Sequence, residues 1–554
     1  MHLKQHIKIG IALLIHLSWM TITPQGLKNT STGNRHIIET NIKQHLHYLG
    51  SDIFEGRGTG TLGGELAAKY LALRFDELNL IPIGDNNTYY QKIPMHGSMP
   101  SDKSELMLFH GDKKTKLELF DEYVLFRTGE QTYIPTPLSI IFAGYGINAP
   151  EYDYNDYNII DVEGKIVLIL DGEPISNDPE YFDGELPTIY SYPESKIRTA
   201  LARGAYGCII IPNRTSPHYS WDKIIREFQF EDVRLAYSST GRLAMIINPE
   251  VADTFFAGTG YNLEEIFKMQ KNQSLSSLQL DTKLSFRGYF NERDFFASNI
   301  IGMIKGNDEQ LENEYIILSA HYDHLGKGPA VEGDSIYNGV LDNALGVSLL
   351  LELAREFKKQ EHTQSRSLIF LLVTGEEKGL LGSTYYTENP IIPLYKTIAN
   401  INIDGVAVFD TFKSITGIGI EYSSLEDYFK TAAASLDLEV KNIPTEFEFV
   451  EAFYKSDQLA FARGGIPSVI TMEGLDYQNI SRKEALDKFI EYGRSIYHSP
   501  FDDLSIPINY DAVIQHYDFI FSLCSLLADS PTTPEWKSGS PYINARLRSI
   551  AEKK

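Results

Sequence analysis

Five residues of types suited to divalent-metal chemistry stand at separate points in the second half of the chain: His321, Asp342, Glu377, Asp404 and His498. His321 opens the run His321-Tyr-Asp-His-Leu-Gly326, and Glu377 lies in Thr374-Gly-Glu-Glu-Lys-Gly379. Asp404 directly follows an apolar stretch, and His498 lies in Tyr497-His-Ser-Pro-Phe-Asp502. Neutral imidazoles and carboxylates suit Zn²⁺, and paired metals commonly share one carboxylate. The chemistry such a set supports is metal-assisted hydrolysis. No H-E-x-x-H is present, which argues against a single-zinc helix site. Singly, each residue has an ordinary explanation: Asp342 as a helix N-cap, Glu376 and Glu377 as a solvated turn, His498 as a core histidine, His321 and His324 as loop residues. Their coincidence carries the metal reading: two His, two Asp and one Glu stand in places that can converge.

The elements that must position them follow from periodicity. From about 296 the chain alternates strand-like and helix-like segments, with β-like runs at 315–319, 367–373, 397–403 and 468–472 and an amphipathic helix at 345–358. That alternation predicts an α/β fold, a mixed β-sheet layered with helices. In open α/β sheets ligands bind beyond the carboxyl ends of the strands, which is where His321, Glu377 and Asp404 stand, while Asp342 stands just before the expected helix and His498 late in the chain. The stretch 105–285 has a different texture, with short apolar runs at 138–143, 166–170, 208–211 and 243–247 and a helix near 195–203. It reads as an inserted small α+β domain. Ahead of it, a helix is expected at 36–48 with Ile37, Ile38, Ile42 and Leu46 inward, and another at 65–79 with Leu66, Tyr70, Leu73 and Leu78 inward. Between them runs Glu55-Gly-Arg-Gly-Thr-Gly-Thr-Leu-Gly-Gly64, which contains G-x-G-x-x-G at Gly58, Gly60 and Gly63. A dinucleotide fingerprint needs a preceding strand, and here a helix precedes. The chain beyond Ala528 reads as loosely packed.

Composition narrows the class. The 554 residues, 43% hydrophobic and 22% charged, describe a globular chain of two or three domains rather than a disordered or fibrous one. Lys and Arg number 50 against 74 Asp and Glu, a net charge of −24, which opposes nucleic-acid binding. Two distant cysteines, Cys208 and Cys524, make neither a disulfide framework nor a cysteine zinc site. Lys4 and Lys8 precede an apolar run at 9–20, the pattern of a secretory signal peptide over 1–24. The expected location is periplasmic or secreted. No other stretch is long and apolar enough to span a bilayer, so no stable membrane insertion of the mature chain is expected.

With its motifs in order, the sequence resembles the M28 zinc aminopeptidases, in the form that carries a protease-associated (PA) domain insert. The resemblance spans roughly 33–528. It includes the opening "LHYLGSDIFEGRGTGTLGGELAAKYL", the segment "FAGYGINAPEYDYNDY…DVEGKIVLILDGEP" and the metal motifs. It implies residues 33–104 and 286–530 as a di-zinc peptidase domain, 105–285 as a PA-like insert, and 531–554 as a tail. It implies two Zn²⁺ per chain, with Co²⁺ or Mn²⁺ as substitutes. His321 and Asp404 would hold one ion, Glu377 and His498 the other, and Asp342 would bridge them. Glu376 matches the general base, Asp323 the carboxylate that orients the histidine, and Tyr454 a tyrosine donating to the oxyanion, though a core aromatic is the plain alternative there. The implied reaction is hydrolysis of the N-terminal peptide bond of peptides by a hydroxide held between the metals. The chain departs from the pattern at Leu345, where a serine is usual, at Gly405, where a methionine often stands, and at Gln458, where a histidine is usual. Other activities on the same fold are a carboxypeptidase, a glutaminyl cyclase and a non-catalytic binding protein. The first finds no Arg-rich patch, the second generally lacks the insert, and the third predicts lost ligands.

Overall fold

The computed structural model describes residues 32–553, apart from 127–132, 175, 177, 179, 183, 185–187, 215–218, 239–241, 361–362 and 444–452. The signal-like segment 1–24 lies outside the described residues. The architecture is mixed α/β, with a large mixed sheet and a second sheet forming its own domain.

The large sheet has ten strands. At its centre Ser367–Val373, Tyr315–His321, Thr397–Asn402 and Ser468–Glu473 run parallel. Their side chains alternate between two helical layers, as a pleated strand requires. Leu368, Phe370 and Leu372 meet one core with Ile316 and Leu318. Ile369, Leu371 and Val373 meet the other with Ile317, Tyr386 and Phe461. Burial on both faces makes these strands read as continuous apolar runs. On one flank, Phe290–Ile304 pairs antiparallel with Ser367–Val373, and Tyr90–Pro100 pairs antiparallel with it in turn.

The second sheet has eight strands, the first being Glu105–His110 and the last Leu278–Arg287. One strand from within this stretch behaves otherwise. Asp232–Leu235 leaves the second domain and pairs antiparallel with residues 95–98, so it forms part of the large sheet. The inserted stretch is therefore not structurally self-contained.

Three local expectations are corrected. The first helix is Thr32–Leu49, with Ile38, Ile42 and Leu46 fully buried, but Ile37 is 49% exposed. The second is Leu62–Glu77, and Leu73 is 58% exposed. Its buried face is Gly63, Gly64, Ala67, Ala68, Leu71, Ala72 and Phe75. Small residues let that face approach its neighbours closely, so the larger leucine one step round the helix points outward. The chain after Ala528 is not loosely packed. Trp536 is buried and donates to the Gly465 carbonyl at 2.9 Å, and Arg546 donates to the carbonyls of Leu394 and Thr397 at 3.0 and 2.9 Å. Among the described residues, no helix is long and apolar enough to cross a membrane.

Candidate metal centre

The carboxyl ends of the parallel strands meet at one place. His321 is the last residue of Tyr315–His321, the Glu376–Glu377 pair lies in the turn after Ser367–Val373, and Asp404 follows Thr397–Asn402. Asp342 lies in the turn before the helix Leu345–Lys359, whose start has no side-chain cap, so the N-cap explanation does not hold. His498 comes from the loop before the long helix Tyr510–Asp529. Residues more than 170 positions apart in sequence thus face one another.

The two oxygens of Asp342 are divided between two groups. Oδ1 lies 3.2 Å from His321 Nε2, which is itself 3.3 Å from Asp404 Oδ1. Oδ2 lies 3.5 Å from His498 Nε2, which is 3.0 Å from Glu377 Oε2. Ligand atoms of His321, Asp342 and Glu377 all fall within 4.8 Å of one another. The donor set fits zinc. His498 Nε2 is buried and has no hydrogen-bond partner of acceptable geometry among the described residues, although carboxylate oxygens surround it. The three carboxylates of Asp342, Asp404 and Glu377, held this close, repel one another unless cations share the space.

The electrostatics follow from this crowding. Burial alone would lower the His321 pKa, but Asp404, Glu376 and Asp342 outweigh it and hold it well above the imidazole range. Burial likewise opposes protonation of His498, yet Glu377 and Asp342 raise it to about 10. Burial favours the neutral form of Asp342, but His321 and His498 hold it well below the usual carboxylate range. Glu376 is pushed well above its ordinary value by burial, reinforced by Asp404 and Glu377.

Neighbouring groups fix these side chains. His321 Nδ1 donates to the Asp323 carbonyl at 3.1 Å, while the nearest Asp323 carboxylate oxygen is 3.9 Å away. Asp323 therefore orients the ring through its backbone. Its buried carboxylate accepts from the Glu376 amide at 3.2 Å and from Thr59 Oγ1 at 2.9 Å. Tyr454 packs in an aromatic cluster with Phe453 and Tyr542 and, from the second domain, Tyr192, whose ring centroid is 6.4 Å away.

Several contributors are residues to which the sequence reading gave no role at the site, His324 among them as a loop residue. His324, fully buried, places Nδ1 2.6 Å from Glu377 Oε1. Asp502 accepts from the amides of Leu341 and Asp342 at 2.8 and 3.0 Å and so braces the Asp342 turn. Ser456 donates to Asp404 Oδ2 and accepts from Asn402 at 2.9 Å. Tyr497 stacks on His498 at 3.9 Å between centroids. The signal for His324, Asp502 and Tyr497 was their place inside the same short motifs. For Ser456 it was its place in the run Ser456-Asp457-Gln458 that follows Tyr454. The departures are accommodated: Leu345 is fully buried in the core, Gly405 adopts φ +92°, which suits glycine, and Gln458 donates to the Phe453 carbonyl at 2.8 Å.

Comparison with known proteins agrees with this geometry. Residues 299–524 match the model of Peptidase family M28, a segment that contains every candidate ligand, together with Glu376, Asp323 and Tyr454. The chain is 28% identical over 286 residues to a vacuolar membrane protease of Schizosaccharomyces japonicus, covering 49% of this chain and 27% of that one. It is 26% identical over 310 residues to a probable leucine aminopeptidase 2 of Aspergillus oryzae, covering 53% and 57%. The chain thus spans less than two thirds of either relative. Among solved structures, an aminopeptidase from Aneurinibacillus sp. strain AM-1 matches 90% of this chain and 97% of its own, with a TM-score of 0.54 and 19% identity. That likeness is one of fold.

Proposed function

We propose that this chain, with its M28-type peptidase segment, is an exported two-zinc aminopeptidase that hydrolyses the N-terminal peptide bond of peptides, with Glu376 as general base. The observation that carries the reading is the division of the Asp342 oxygens between a His321–Asp404 group and a His498–Glu377 group. His321 and Asp404 would hold one zinc, His498 and Glu377 the other, and Asp342 would bridge them. Zinc bound there supplies Lewis-acid polarisation of the carbonyl and acidifies water.

The chain's own residues account for the proton handling. The Glu377 carboxylate faces His498 and His324, which leaves Glu376 to accept a proton from the attacking water and return it to the leaving amine. The Asp323 carboxylate holds the backbone of Glu376, and its carbonyl holds the ring of His321. Base and ligand are thus set from one residue. Tyr454 is the proposed donor to the developing oxyanion, a contribution that preorganised donors make large. The contact of Tyr192 with Tyr454 supports a PA-like insert, 105–285, that lies beside the substrate path and limits peptide access. The basic residues Lys4 and Lys8 ahead of the apolar run 9–20 support a periplasmic or secreted location.

The test uses zinc-replete protein and aminoacyl-anilides, each paired with its N-acetylated form. Cleavage of the free-amine member alone is expected. Two bound zinc ions with no cleavage of any pair would overturn the aminopeptidase reading and favour another activity on the same fold.

A further inference from the structure

The glycine-rich run from Glu55 to Gly64 lies between two helices rather than after a strand, and the structure gives it a different task from phosphate binding. Arg57 is fully buried, and its guanidinium bonds to backbone carbonyls. Nε donates to Tyr322 O at 2.7 Å, Nη1 to Leu49 O at 3.0 Å and to Asn338 O, and Nη2 to Gly339 O at 2.8 Å. Tyr322 stands between His321 and Asp323, and Asn338 and Gly339 lead into the turn that carries Asp342. One rigid, planar fork with five donors therefore ties together the two backbone segments that deliver His321 and Asp342. Two residues on, Thr59 Oγ1 donates to Asp323 Oδ2 at 2.9 Å. The other oxygen of Asp323 holds the Glu376 amide, and its carbonyl holds the His321 ring.

The loop's backbone supports this arrangement. Arg57 itself adopts φ +53°, a left-handed conformation that costs free energy in a non-glycine residue and persists only where its surroundings over-determine it. A Cβ on Gly56 would lie 2.3 Å from Tyr337 O, and one on Gly58 3.1 Å from Gly326 Cα. Gly58 also forms a backbone bridge with His324. The glycines are what let the loop lie directly against the metal-bearing segments.

We propose that Arg57 and Thr59 are positioning residues of the metal centre: they hold the segments carrying His321, Asp323 and Asp342 in the mutual register that retains zinc. The proposal rests on the two-zinc reading above. Hydrogen-bond partners that orient metal ligands typically change metal affinity 10- to 100-fold when removed.

The experiment compares full-length wild type with Arg57→Met, Arg57→Lys and Thr59→Val, and with Leu62→Ser as a control at the exposed first residue of the helix that follows. Zinc retained against rising chelator, the absorption bands of the Co²⁺-substituted protein, and kcat and KM are measured on each. Arg57→Met should lose zinc to roughly 10- to 100-fold less chelator, with kcat falling more than KM. Arg57→Lys should recover part of the loss, since lysine donates without the planar fork. Thr59→Val, which removes one hydroxyl at nearly constant volume, should shift the Co²⁺ bands and weaken zinc retention, while Leu62→Ser behaves as wild type. If Arg57→Met does not fold, Thr59→Val decides. Folded Thr59→Val protein with wild-type zinc retention and Co²⁺ bands would overturn the proposal. Wild type that binds two zinc ions but cleaves no anilide would overturn only the aminopeptidase reading, because zinc retention still reports on Arg57. Wild type that binds no zinc would overturn both.

Discussion

Asp342 offers one oxygen to His321 and the other to His498, so single substitutions around it should separate the two halves of the centre. His498→Ala is expected to lower bound zinc from two ions to one, read by metal analysis of the purified protein. Glu376→Gln keeps the shape but removes the proton acceptor. It should lower kcat by about 10²- to 10⁴-fold with zinc content unchanged; a parallel loss of zinc would contradict the role of base. The imidazoles also predict a pH dependence. Burial would favour neutral rings, but the carboxylates outweigh it, so His321 and His498 are protonated near neutrality without metal, His498 up to about 10. Ligating histidine must be neutral. Zinc uptake at neutral pH should therefore release on the order of two protons, and affinity should rise with pH. Calorimetry in buffers of different ionisation enthalpy measures this, and buffer-independent heats would refute it. In the metal-free protein the same raised His498 pKa stabilises the fold fully below the unfolded imidazole value. That contribution is lost as pH rises through about 10. The candidate ligands could be named from sequence because chemistry restricts metal ligands to few residue types, here in short motifs. Part of their support could not be read there: Arg57 reaches Gly339 across 282 positions, a relation that no local pattern records.

At the scale of elements, the central strands were readable because burial on both faces demands uninterrupted apolar runs. The strand Asp232–Leu235 was not, because only two of its four residues are apolar and its partner lies at 95–98. Val233 and Leu235 pack there against Ile93, Met95 and Leu381, the last on the helix that follows the Glu376–Glu377 turn. Leu235→Ala should therefore destabilise the domain built on the large sheet by about 2–4 kcal/mol, measured by urea unfolding of the full chain. By the same logic, excising 105–285 removes an edge strand of the large sheet, and the product is expected to lose cooperative unfolding rather than become an unrestricted peptidase. The second helix shows the opposite difficulty. Its Gly and Ala face gives a weak periodic signal, yet close approach there is what fits the glycine-rich loop beneath it, where a Cβ on Gly63 would lie 1.9 Å from Phe54 O.

For the whole molecule, the C-terminal segment matters more than its polar, proline-containing sequence suggests. Trp536 and Tyr542 complete an apolar cluster with Phe453, Leu459 and Tyr454. Trp536→Ala should cost about 3–5 kcal/mol, and thermal melts of zinc-loaded protein would show it; an unchanged melting temperature would mean the segment is dispensable. By itself, the sequence determined the α/β alternation and the identity of the metal-ligand types. Each of these is written in neighbouring residues, as a period or as a short motif after a strand. Only the tertiary structure decided which oxygen of Asp342 faces which histidine, that Asp323 orients His321 through its carbonyl, and that the strand Asp232–Leu235 packs against the helix following the Glu376–Glu377 turn. Those are relations between segments distant in the chain. They arise from how buried polar groups find partners once the sheet has formed, and a local pattern carries no record of that choice.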